Sequence, residues 1–136
     1  MKILGNIPVF VFLLIAYNLA AFSGSYDMQT LLTSQLFSFQ LISGALFVLR
    51  VHDLLVVLGV IALYIEILKS TKTSKWSVID HALSMLVFVI FLVEFIVFKP
   101  FGTSTFFILT LMSMLDVIAG FTVTISSARR DFGIER

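Results

Sequence analysis

The chain has 136 residues and a formal net charge of +1; 60% of it is hydrophobic and 12% is charged, with a mean hydropathy of +1.11. A soluble domain is about half apolar and about a quarter charged, and one domain of this size cannot hide so much apolar surface from water. A soluble enzyme, a nucleic-acid-binding module and a disordered tail are therefore excluded, and an integral membrane protein is implied. The chain has no cysteine. That rules out disulfides, thiolate metal sites and cysteine nucleophiles.

A spanning helix needs about 20 mainly apolar residues. Four segments meet that length: 3–22, 45–68, 78–98 and 104–125. The predicted fold is all-α, a polytopic four-transmembrane-helix antiparallel bundle. It forms a single transmembrane domain over residues 1–136.

The first segment has the outline of a signal peptide, with Lys2, an apolar run and small residues at Ala20 and Ala21. Its apolar run is long, and Ala21-Phe22-Ser23 is a poor small-x-small cleavage site. It is expected to stay as a spanning helix.

Residues 27–44 are too polar to span, with Asp27, Gln29, Gln35 and Gln40. They are too apolar for a free loop, with Leu31, Leu32, Phe37 and Phe39 among them. The prediction is an outer amphipathic helix lying on the membrane face or capping the bundle. A helical extension of the second span is the alternative.

The second span carries Arg50, His52 and Asp53 near its start. Counting from residue 45, Arg50 lies about 7 Å and Asp53 about 12 Å along the helix. Arg50, Asp53 and Tyr64 share one face, and His52 points away from it. Glu66 lies near the other end.

In the third span, Asp80, Ser84, Val87, Phe91 and Glu94 follow helical spacing and make one face. Glu94 falls at nearly the depth of Arg50. Each charge alone is expensive in lipid, so an Arg50–Glu94 ion pair, shared with Asp53, is predicted. Glu66, Asp80 and His81 are expected together near the membrane surface, contacting water, Lys69 or each other.

Lys99-Pro100-Phe101-Gly102 ends the third span, and Thr103 or Ser104 can cap the fourth. Asp116 lies about 18 Å into that helix, near mid-membrane. It is a candidate proton or cation site, against a structural role as a neutral acid bonding two helices. Tyr17, Asn18 and Tyr64 are its expected partners. The spacing Asp116, Gly120, Thr124 favours close helix approach.

Lys and Arg cluster in the 69–77 loop (Lys69, Lys72, Lys75) and the tail (Arg129, Arg130, Arg136). With Lys2, they predict both termini cytoplasmic. The expected location is a bacterial inner membrane. His52 and His81 lie roughly 20 Å apart by rise, so no shared metal or haem is expected, and no cofactor.

No HExxH, GxSxG, Walker or GxGxxG pattern occurs, and the chain leans away from an enzyme. The first functional expectation is a non-enzymatic accessory or assembly subunit of a larger membrane complex or homo-oligomer. The partners are then the lipid bilayer and another membrane subunit or copy, with no nucleic acid. The second is a small proton or cation conductor using Asp116, Asp53 and Glu94. A lipid- or quinone-interacting enzyme ranks third.

Overall fold

The computed structural model describes residues 4–72 and 75–134. Lys2 and Arg136, used in the orientation argument, lie outside them, as does the start of the first predicted span. The order is a 3-10 turn (Leu4–Asn6), α1 (Phe10–Phe22), α2 (Met28–Thr33), β1 (Gln35–Gln40), β2 (Leu46–Arg50), α3 (Val51–Ser70), α4 (Ser77–Val97), a second 3-10 turn (Lys99–Phe101) and α5 (Ser104–Ile134).

Among the described residues, three helices are long and apolar enough to cross a membrane: Val51–Ser70, Ser77–Val97 and Ser104–Arg130. The chain therefore reads as an integral membrane protein. α1 is shorter than predicted. Pro8 cannot continue a helix and restricts the residue before it, so the helix starts at Phe10 and has 13 residues. At 1.5 Å per residue that is about 20 Å, less than the roughly 30 Å of a hydrocarbon core.

The 27–44 segment is corrected more deeply, and with it the all-α class. Only Met28–Thr33 is helical. Thr33 Oγ1 donates to the Gln29 carbonyl and Ser34 Oγ to the Leu31 carbonyl. Ser34 itself is extended, and the chain leaves as β1. β1 and β2 form an antiparallel hairpin, with Phe39 opposite Phe47 and Ser38 opposite Val48. Its turn needs Gly44, whose φ of +85° side chains disfavour. Phe37, Phe39 and Phe47 cluster on one face, with ring centroids 5.1 Å apart for the Phe39–Phe47 pair. Aromatic cross-strand pairs of this kind are what favours a strand over a helix here.

β2 passes straight into α3. Arg50 is extended, and the Asp53 carboxylate accepts its backbone N–H at 3.0 Å. The second span therefore begins at Val51, six residues later than predicted from residue 45. α4 and α5 start close to expectation. Thr103 caps α5, its Oγ1 accepting the Phe106 N–H at 3.2 Å. α5 continues beyond residue 125 to Ile134.

α5 is the central helix. Its apolar window is 39% buried, against 17% for α3 and 22% for α4, and it packs most extensively on both. Lipid is as apolar as a side chain, so close packing and polar contacts hold such helices together. Gly59 of α3 supplies one close approach: a Cβ there would lie 2.6 Å from Met112 Sδ and 2.9 Å from Leu109. Phe10, Tyr17, Phe91, Phe101 and Phe106 form a fully buried aromatic core that joins α1 to α4 and α5.

Candidate functional site

The end of the bundle formed by the last turn of α3 and the first turns of α4 gathers the buried ionisable groups Glu66 and His81, with Ser84 and Asp116 beyond them. Glu66 is 2% exposed. Its Oε1 accepts the backbone N–H of Val9, just ahead of α1. Lys69 Nζ lies 3.1 Å from Glu66 Oε1 and 3.3 Å from Oε2, and it also donates to the Ile7 carbonyl at 3.0 Å. Asp80 Oδ1 is 3.7 Å from the same ammonium.

This arrangement has a local cause. The first N–H groups of a helix have no partner within it, and Val9 offers α1 no side-chain cap. The Glu66 carboxylate supplies the missing acceptor from another helix, where a negative charge also suits the helix dipole. The expected contacts of Glu66 and Asp80 with Lys69 are formed, with Glu66 buried within the protein rather than open to water. The signal in the sequence is faint: a helix opening after Pro8 without a capping side chain, and no indication of which distant acid completes it.

Asp116 is 5% exposed. Ser84 of α4 is its polar neighbour, and Glu66, Lys69 and Asp80 are its charged neighbours. Tyr17, Asn18 and Tyr64 are therefore not its partners. Tyr17 bonds Thr103 Oγ1 at 2.7 Å and the Pro100 carbonyl at 3.3 Å. Tyr64 is 63% exposed. The predicted stripe on α4 does face inward, with Ser84, Val87 and Phe91 buried.

His81 is buried one turn from Ser84. Its Nε2 lies 2.6 Å from Thr124 Oγ1 on α5, and its ring stacks on Phe121 at 5.1 Å. Gly120 makes the room: a Cβ there would meet the His81 ring at 2.9 Å. Ser113, one turn before Asp116, is fully buried, and its hydroxyl has no hydrogen-bond partner among the described residues. A cavity of about 190 Å³ reaches Lys69, Lys72, Trp76, Asp80 and His81.

The other predicted residues are separate from this cluster. His52 Nδ1 is 3.0 Å from Asp53 Oδ1, and both side chains are about a third exposed. The expectation that His52 points away from Asp53 is thus overturned. Glu94 Oε2 accepts from Asn18 Nδ2 of α1 at 3.1 Å. The predicted Arg50–Glu94 ion pair is not formed: among the described residues the ion pairs are His52–Asp53, Lys69–Glu66 and Lys69–Asp80. The reason is the late start of α3. Arg50 ends a strand, exposed, so the depth and phase counted from residue 45 do not apply.

Chemically, Glu66 and Asp80 share the Lys69 ammonium, and Lys69 also reaches the Ile7 carbonyl ahead of α1. Among the described residues, no three His, Asp or Glu side chains are grouped to hold a metal ion. The class these features define is a small integral membrane protein with three helices of spanning length and a shorter apolar one, tied by buried polar contacts. Compared with known proteins, the chain matches no family model, no curated sequence and no solved structure.

Proposed function

We propose that this chain is a non-enzymatic accessory or assembly subunit of a larger membrane complex or homo-oligomer. The observation that carries the reading is the hairpin. Its apolar side chains are exposed, with Leu36, Phe37, Phe39, Leu46 and Phe47 open and Ile42 fully exposed at the tip. A lone two-stranded hairpin is marginal by itself, and an exposed apolar patch rimmed by polar residues marks an interaction surface. The polar contacts support the same reading. Glu66 to Val9, Asn18 to Glu94, His81 to Thr124 and Ser84 to Asp116 each hold two segments together. The test is a photo-reactive amino acid at Ile42 in native membranes. The reading expects a protein adduct of one defined mass, either twice this chain or this chain plus one subunit. Lipid adducts alone sink it.

One observation favours transport as a second reading. The cavity is lined by Lys69 and Asp80, both of which are charged neighbours of Asp116. Asp53 and Glu94 belong to other contacts, so the route narrows to Asp80 and Asp116. Proton or cation flux into liposomes that Asp116→Asn abolishes would favour it. A wild-type protein without flux ends it.

For orientation we propose both termini on the cytoplasmic side of a bacterial inner membrane. Exposed Arg129 and Arg130 at the end of α5 support this, as does Lys72 beyond α3. A C-terminal reporter active only outside the cytoplasm would overturn it.

A further inference from the structure

A second feature lies on the flank of the bundle, away from the cluster. α1 and α4 enclose an open groove of about 500 Å³, lined by Leu14, Ile15, Asn18, Leu19, Phe22 and Glu94, with Ser23 at its end. Small-molecule sites run from about 300 to 1,000 Å³, mostly apolar with a few placed polar groups. This groove fits that description. Its polar side chains are the Glu94 carboxyl, the Asn18 amide and the Ser23 hydroxyl at its end, and no Lys or Arg lines it.

The carboxyl is the informative group. Glu94 is half-buried, three residues before the end of α4. That places it about 5 Å inside the helix end, just below the headgroup level. Asn18 Nδ2 donates to Oε2 and to the Leu14 carbonyl, which fixes both side chains. Among the described residues Glu94 enters no ion pair. A carboxylate at this depth calls for a positive partner.

We infer that the groove between α1 and α4 binds a single-chain amphiphile with a monocationic ammonium head, seated at Glu94 and Asn18. The tail lies along Leu14 and Ile15, which continue the groove deeper than Asn18. Charge complementarity selects the occupant. An anionic head would meet the carboxylate. A zwitterionic phospholipid would bring a phosphate to a groove with no basic side chain to receive it. A neutral alcohol would leave the carboxylate unpaired. The inference does not depend on the subunit reading.

The test uses the full chain in phosphatidylcholine nanodiscs and a diazirine-bearing dodecyltrimethylammonium probe. Saturable labelling of α1 and α4, competed by unlabelled dodecyltrimethylammonium, is expected. Dodecanol and dodecylphosphocholine should compete poorly. Glu94→Gln keeps an acceptor for Asn18 and removes the charge, and labelling should fall at least about tenfold. Leu19→Trp fills the groove and keeps the charge, and it should also block labelling. Non-saturable labelling, equal competition by the neutral or zwitterionic chain, or wild-type labelling of folded Glu94→Gln each overturns the inference. Should Glu94→Gln fail to fold, Leu19→Trp and the head-group comparison decide the matter alone.

Discussion

The two ends of this molecule solve the same problem in opposite ways. At the α3–α4 turn, polar groups are buried beside partners within the chain: Glu66 meets Val9 and Lys69, His81 meets Thr124, and Asp116 lies beside Ser84. At the hairpin, apolar groups are exposed, and they pack mainly on each other, as Phe39 does on Phe47. The first region buries its polar groups among other segments of the chain. The second turns its apolar side chains outward. In a chain this apolar, burial of polar groups marks what holds the monomer together, and exposure of apolar groups marks where it meets its surroundings.

The contrast can be broken by mutation, beginning with the largest expected effect. Glu66→Ala removes the acceptor for Val9 and leaves the Lys69 ammonium facing only Asp80 and a carbonyl. Breaking a buried pair at one partner is worth about 3–5 kcal/mol; since Lys69 is partly exposed, the lower end is expected. Reversible unfolding in mixed micelles should read it. Gly120→Ala drives a methyl into the His81 ring and should destabilise by about 1–3 kcal/mol in the same assay. It should also break the His81–Thr124 contact, visible as a shift of the imidazole NMR signals. Gly44→Ala places a side chain at positive φ and should weaken the hairpin by about 1 kcal/mol. Amide exchange of Gly44 and Leu41 should quicken while global unfolding stays put. A fall in global stability would mean that the hairpin belongs to the same cooperative unit as the helices. Arg50→Gln should change stability by less than about 0.5 kcal/mol, because Arg50 is exposed and its capping role runs through the backbone N–H. A loss of several times that size would reinstate a buried partner for it.

The parts of the fold that the sequence made readable are those governed by local rules. Pro100 ends α4, Thr103 caps α5, and the Asp80–Ser84–Val87–Phe91 spacing selects the inward face of α4. The parts it concealed depend on a competing local choice or on distance along the chain. Residues 27–44 carry both a helical and a strand-like pattern. The alternation around Phe37 and Phe39 with Gly44 at the turn was the hairpin signal, outweighed by an amphipathic reading. A helix beginning at residue 45 would set Arg50 at the depth of Glu94, but residues 46–50 form β2 and α3 begins at Val51. For Asp116, helical position located the burial, but its partner Ser84 and its neighbours Glu66 and Lys69 come from helices whose mutual height rise counting from uncertain ends did not resolve. Glu66 as the acceptor for α1 lies 57 residues from Val9, beyond any pattern of spacing.

The junction at Arg50 and Val51 has a mechanical consequence. β2 becomes α3 from one residue to the next, and the Asp53 carboxylate clamps the turn between them. The hairpin is thus joined to α3 with no flexible linker between them. Five residues of strand run roughly 16 Å, so the position of Ile42 at the tip is set by how α3 sits in the bundle.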